Sequence, residues 1–289
     1  LRFDVIPKTQ FDKSMDSTVP AYAEQLQAYH KAFGAELRAA IRAVRCPLGA
    51  KVLDVPCGDG FYTACLARLL YPFGLVTAVD LNFTFLEEAK RRVARQRRLA
   101  AIEFVQADAY KLPFEDNTFD VVWSARSLIS LDDPLQALEE MKRVVRPAGT
   151  IAILEDDEFH QILFNCSVEL EMDLQRAIAE VAKEKYGSAS GLSPARFVFD
   201  LISKSGLKLK HRQTFAADRQ APFSPEVKDY LRIHLHETRK FVAEFLTLKS
   251  HKSLDSALDQ RDPNSLYRRT DAELTCLTTL FLATKPERQ

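Results

Sequence analysis

From Lys51 to Leu154 short apolar runs alternate with longer amphipathic ones, and that rhythm restricts the fold more than any other feature of the chain. Lys51–Val55, Leu75–Val79, Ile102–Val105, Asp120–Trp123 and Thr150–Leu154 have the length and composition of buried strands. Between them, Tyr62–Leu70, Asn82–Arg95 and Leu135–Val145 place apolar residues at helical spacing. The last of these opens on Asp133-Pro134, an N-cap followed by a first-turn proline, and stops at Arg146-Pro147-Ala148-Gly149. Strands that alternate with helices need crossover connections. The pattern therefore predicts an α/β fold, a doubly wound sheet that is mostly parallel, with helices on both faces.

The flanks follow another rule. Tyr22, Leu26, Tyr29, Phe33, Leu37, Ile41 and Val44 recur every three or four residues and predict an amphipathic helix between Pro20 and Pro47. Beyond Leu154 the spacing predicts helices at Val168–Lys185, Pro194–Ser205 and Ser224–Leu248. An edge strand is expected at Leu207–Phe215, and a last, antiparallel strand at the sheet edge at Cys276–Ala283. The expected division is an N-terminal helical segment (1–49), a core of 50–156 and 207–289, and inserted lid helices within about 156–270.

Composition closes off several classes. The 289 residues carry 40 basic and 40 acidic side chains, so bulk charge does not draw the chain to nucleic acid or anionic membrane. Five scattered cysteines without a CxxC pair predict neither a disulfide framework nor a metal site, and favour a reducing compartment. No targeting segment stands out. The apolar stretches, such as Leu274–Ala283, are about half the roughly 20 residues a membrane helix needs. A cytoplasmic protein without a membrane partner is the expectation, and a homodimer is left open. Locally the charge is uneven: residues 151–203 carry a net −6 and residues 204–269 a net +6.

The chemistry concentrates in Val52-Leu53-Asp54-Val55-Pro56-Cys57-Gly58-Asp59-Gly60, a strand ending in an acid, then a glycine turn, then a helix. Gly58 and Gly60 let a ligand approach the backbone, and the helix start offers free N–H groups. The second strand ends at Asp80 and the third runs into Asp108. Three acids thus tip three consecutive strands, where ligands of open α/β sheets bind. A nicotinamide site is disfavoured, because Thr63 stands where the third glycine of Gly-x-Gly-x-x-Gly belongs.

Val52–Gly60 resembles the nucleotide-binding motif of class I S-adenosylmethionine-dependent methyltransferases of the small-molecule type. Ala78-Val79-Asp80-Leu81-Asn82, Val105–Ala109 with Leu112-Pro113-Phe114, Phe119–Val122 and Glu140–Thr150 resemble further motifs in that family's order. The resemblance covers residues 50–156 and implies a Rossmann-like fold with a helical lid and S-adenosylmethionine as cofactor. It implies that Gly58 and Gly60 pack on the methionine and ribose portions. Asp54 orients the turn and the amino group, Asp80 holds the ribose hydroxyls and Asp108 takes the adenine amino group. Pro56, Leu81, Ala109 and Ser124 join the cofactor-contacting positions. Pro56 departs from the pattern, since the family has glycine there and proline has no N–H to offer.

Methyl transfer to a hydroxyl also needs a base. Glu155, Asp156 and His160 follow the fifth strand, with His160 the first candidate because imidazole titrates near neutrality; Tyr29 is a further one. Arg126 is read either as a ligand for a substrate anion or as part of a salt bridge. Tyr22, Tyr29, Phe159, Phe164 and Phe223 are available to line an apolar substrate pocket. The expected reaction is methylation of a small, partly apolar metabolite, first at a hydroxyl, with carbon and nitrogen acceptors open. Two alternatives stand beside it: an RNA or protein methyltransferase using the basic 204–269 half, and a non-catalytic binding protein with the same fold.

Overall fold

Five strands run parallel in the computed structural model: β1 (Lys51–Asp54), β2 (Leu75–Asp80), β3 (Ala101–Gln106), β4 (Phe119–Ala125) and β5 (Val145–Phe164). Two more, β6 (Lys208–Gln220) and β7 (Glu273–Thr284), complete one sheet in the order β3-β2-β1-β4-β5-β7-β6. β7 is antiparallel to both neighbours and lies one place in from the edge, which β6 forms. The structure describes residues 22–164, 167–187 and 194–287, with the side chains of 157–164 and 186 outside the described residues.

The order reverses between β1 and β4, so the crossovers leave β1 in opposite directions and open a crevice at its carboxyl end. Strand periodicity sorts the core into two layers. Val52, Val121, Trp123, Ala152 and Leu154 face one side, against α1 (Ala23–Ala43), α2 (Phe61–Leu70) and α7 (Pro225–Val242). Leu53, Val55, Val122, Ile151 and Ile153 face the other, against α4 (Pro134–Val144) and α6 (Val198–Lys204). On the α2 side, α3 (Phe83–Ala94) sets Leu86 and Ala89 against Ala78 and Cys57. A smaller apolar cluster joins α5 (Val168–Tyr186), the end of α7 and α8 (Leu248–Leu258).

Three elements differ from the sequence expectation. β5 does not stop at Leu154; it pairs with β7 from Thr150 opposite Thr284 to Phe164 opposite Glu273, with a register shift between Asp156 and Gln161. It therefore continues ten residues past Leu154, opposite seven residues of β7 that span about 23 Å at strand spacing. The helix expected over Ser224–Leu248 is two. α7 ends at Val242, a short turn follows, and Thr247 starts α8 by accepting the Ser250 N–H at 3.2 Å. Pro194–Ser205 divides into a single 3-10 turn and α6. Among the described residues no helix is long and apolar enough to cross a membrane.

Candidate active site

Asp54 closes β1 between Ala78 of β2 and Trp123 of β4, and it is fully buried. Its Oδ2 accepts the Thr63 hydroxyl at 2.5 Å, while its Oδ1 is buried without a partner. Thr63, at the third-glycine position, thus supports the acid from the first turn of α2. Burial pushes the Asp54 carboxyl up to about 7. An unsatisfied buried acceptor is costly unless a ligand group meets it.

The turn after β1 needs both glycines, for different reasons. Gly58 and Gly60 have φ of +51° and +76°, in the left-handed region. A Cβ on Gly60 would stand 2.6 Å from Ala89 of α3, so the close approach there is between helices. A Cβ on Gly58 would meet Leu26 of α1 at 3.7 Å, an ordinary contact, so at Gly58 it is the positive φ and not crowding that calls for glycine. The Gly58 N–H donates to Asp80 Oδ2 and the Asn82 N–H to Asp80 Oδ1, both at 2.9 Å. These bonds fix the carboxylate at the tip of β2 and partly offset the burial that raises its pKa. Leu81 is exposed beside it. Asp108 is also exposed, with its Oδ1 accepting the Tyr110 N–H at 2.9 Å; Ala109 is buried and Pro56 half-buried. Ser124 is buried, 2.7 Å from the Ser127 hydroxyl.

The residue between the glycines was not singled out by its sequence. Asp59 is buried and accepts from Arg92 of α3, from the Phe61 N–H at 3.1 Å and from His30 Nδ1 at 3.3 Å. The Arg92 guanidinium also donates to the Asp59 carbonyl at 2.8 Å. His30 stacks on Phe61 with ring centroids 4.2 Å apart. Through this cluster α1 and α3 both grip the turn. Hydrogen bonds from its partners hold the Asp59 carboxyl below the usual range against the opposing effect of burial, and burial holds His30 low. A sequence cue for His30 exists: it lies four residues after Leu26, on the face of α1 that meets the turn.

Around Asp156 of β5 a second group assembles. Arg126, in the loop after β4, forms an ion pair with Asp156 and lies over the Tyr29 ring at 3.7 Å. The Tyr29 hydroxyl donates to Asp156 Oδ1 at 3.2 Å. Tyr29, Arg126 and Asp156 are therefore one cluster, although more than ninety residues separate the first two. Glu155 points elsewhere: its Oε1 accepts the Ser127 and Leu128 N–H groups at 3.0 and 3.1 Å, and burial pushes its carboxyl up to about 8. Tyr22 packs its ring on Phe85 of α3 at 5.8 Å, and Phe223 is buried in the core. The side chains of Phe159, His160 and Phe164 lie outside the described residues; their backbone belongs to β5.

Residues 53–153, which contain every acid tip and Arg126, match the family described as "Methyltransferase domain". This stretch is a methyltransferase domain. A demethylmenaquinone methyltransferase from Staphylococcus aureus is 40% identical over 110 residues, 38% of this chain and 44% of its own length. The chain thus spans less than half the length of the curated relatives it matches. A SAM-dependent methyltransferase from Aquifex aeolicus superposes with a TM-score of 0.51 at 21% identity, covering 68% of this chain and 92% of its own. A phosphoethanolamine N-methyltransferase from Haemonchus contortus, with S-adenosylhomocysteine bound, gives 0.53 at 18% identity, covering 97% and 61%. These likenesses establish the class I methyltransferase fold around the domain. α1, which carries Tyr29 and His30, and β5 beyond Ile153 lie outside the matched domain, so two of the three residues of the second cluster, Tyr29 and Asp156, are not part of it.

Proposed function

We propose that this protein transfers a methyl group from S-adenosylmethionine to a hydroxyl of a small, partly apolar metabolite. The observation that carries the reading is the crevice at the β1/β4 reversal. The left-handed turn at Gly58, a partnerless buried oxygen on Asp54 and two further acids at the strand ends converge there. These residues fit the cofactor: Asp54 Oδ1 suits its ammonium group, Asp80 the ribose hydroxyls and Asp108 the adenine amino group. Pro56, Leu81, Ala109 and Ser124 line the same path, Gly58 gives the methionine portion room, and Gly60 lets α3 close behind the turn. Bound there, the cofactor supplies a methyl group already activated on a sulfonium, so placement of the acceptor provides most of the acceleration.

Tyr29, Arg126 and Asp156 receive the acceptor. Asp156 takes the hydroxyl proton, held in place by Arg126 and Tyr29; His160, four residues along β5, is the second candidate. Glu155 is spoken for by the loop after β4. We further propose that α1 and the helices within 156–270 act as the lid, which supports an enclosed small acceptor over a polymer. The distribution of base in 204–269 supports the same choice. Arg219 pairs with Glu36, Arg239 with Asp255 and Arg269 with Asp271, which interrupts any basic stripe. The Staphylococcus aureus relative acts, by its name, on demethylmenaquinone, itself a small molecule.

The test is calorimetric. Asp80→Ala removes the partner of two ribose hydroxyls, and each hydrogen bond to a charged group contributes about 1.5–3 kcal/mol. S-adenosylmethionine affinity should fall at least tenfold in a folded protein. An unchanged dissociation constant would remove the cofactor from the reading.

A further inference from the structure

Beyond the Tyr29 cluster, α5, α7 and α8 enclose a cavity of about 80 Å³ against the start of β7. That is several times the roughly 10–15 Å³ that admits a single water. Leu174 and Ile178 of α5, Leu231 and Leu235 of α7, Leu254 of α8 and Leu274 of β7 make its walls almost wholly hydrocarbon. A cavity lined this way stays dry and takes apolar groups. Its one titratable wall residue on α7 is His234, whose Nδ1 lies 3.1 Å from the Gln25 amide. Glu171, on α5, stands at the same cavity.

A row of packed rings, one pair stacked and one edge-on, runs from the cavity wall to the acceptor cluster. His234 stacks on Tyr230 at 5.2 Å, Tyr230 meets the Tyr29 ring at 6.0 Å, and Tyr29 carries Arg126 and Asp156. The sheet gives the spacing. Asp156 pairs with Thr278, and Leu274 of the cavity floor lies four residues back along β7, about 14 Å away at strand spacing. We infer that this cavity binds an apolar tail of the acceptor, a hydrocarbon chain whose hydroxyl-bearing head sits at Tyr29, Arg126 and Asp156. The inference rests on the proposed methyl transfer and narrows its substrate class to amphipathic molecules with head and tail about 14 Å apart.

The experiment uses a series of 4-n-alkylphenols, from phenol to 4-octylphenol, titrated by calorimetry into the full chain saturated with S-adenosylhomocysteine. Each methylene buried in a dry cavity should tighten binding by about fourfold until the cavity is full. Leu174→Trp, on the α5 wall, should flatten that chain-length dependence and weaken 4-octylphenol at least tenfold. Leu235→Ala should extend the rise to longer chains, which guards against a Leu174→Trp protein that fails to fold. Asp156→Asn should lower the whole series in parallel, since it alters the head and leaves the tail site intact. A flat series in the unaltered protein, or an unaltered slope in folded Leu174→Trp and Leu235→Ala, overturns the tail site while S-adenosylhomocysteine binding stands. Absence of S-adenosylhomocysteine binding in the unaltered protein overturns the reading beneath it.

Discussion

Glu155 and Asp59 show how differently two buried acids can be used. Glu155 caps two N–H groups of the loop that presents Arg126. Its folded-state pKa of about 8 lies above its ordinary 4.5, so the folded state holds the proton longer than the unfolded one. Stability on this account is full below about pH 4.5 and is lost as pH rises towards 8. Glu155→Gln keeps the accepting oxygen and removes the charge. It should stabilise the protein at pH 8.5 by on the order of 1–3 kcal/mol in urea unfolding, with little change at pH 5. Equal urea midpoints at pH 8.5 would show that Glu155 is not the buried proton carrier described. Asp59 has the opposite sign, since its partners hold it low. His30→Ala should weaken the turn and reduce S-adenosylhomocysteine affinity without touching Asp54 or Asp80. Asp54, Asp80 and Asp108 were legible as acids at the ends of consecutive strands, Asp54 and Asp80 closing β1 and β2 and Asp108 following β3 by two residues. Asp59 was not, because its partners come from α1 and α3, 29 and 33 residues away in opposite directions.

At the scale of elements, the β/α alternation made β1 to β4 and their helices legible nearly to the residue, since period and length agree there. β5 misled because Glu155-Asp156-Asp157-Glu158 has the polarity of a loop. It is a strand because β7 offers a long pairing partner rich in threonine, with Thr278 opposite Asp156 and Thr279 opposite Glu155. Strand pairing across 120 residues leaves no local trace. The division after α7 was hidden for a similar reason: Thr247 becomes a helix start only when Asp173 of α5 accepts its N–H, at 3.0 Å. α1 was legible as a helix, and its burial changes its status. Leu37, Ala40 and Ile41 are almost wholly enclosed against α2 and the sheet. Leu37→Ala should therefore cost about 2–5 kcal/mol, the range for a fully buried leucine, in chemical denaturation. A loss below 1 kcal/mol would mean that α1 is a detachable cover and not part of the core.

Across the whole molecule, buried groups of opposite kind set the response to pH. Burial holds His234 at about 4 and lowers His30, so the unfolded chain takes up protons first and stability falls as pH drops from about 6.5 towards 4. Asp54 and Glu155 are held up to about 7 and about 8, so their contribution falls as pH rises from about 4 to 8. Between pH 4 and 6.5 the two trends oppose; above 6.5 only the carboxyls remain. Stability should thus decline from pH 6.5 to 8.5, a span in which many proteins are nearly flat. Cofactor binding should run the other way, because an ionised Asp54 is the form that meets an ammonium group. S-adenosylhomocysteine affinity should rise through about pH 7 and then level, and Asp54→Asn should bind more weakly with no such rise. The fold and its site then prefer opposite protonation states of one carboxyl, and ligand binding supplies what ionisation costs the apo protein. A pH-independent affinity in the unaltered protein, measured by calorimetry from pH 5.5 to 8.5, would detach Asp54 from the ligand and leave its partnerless oxygen as a cost of the fold alone.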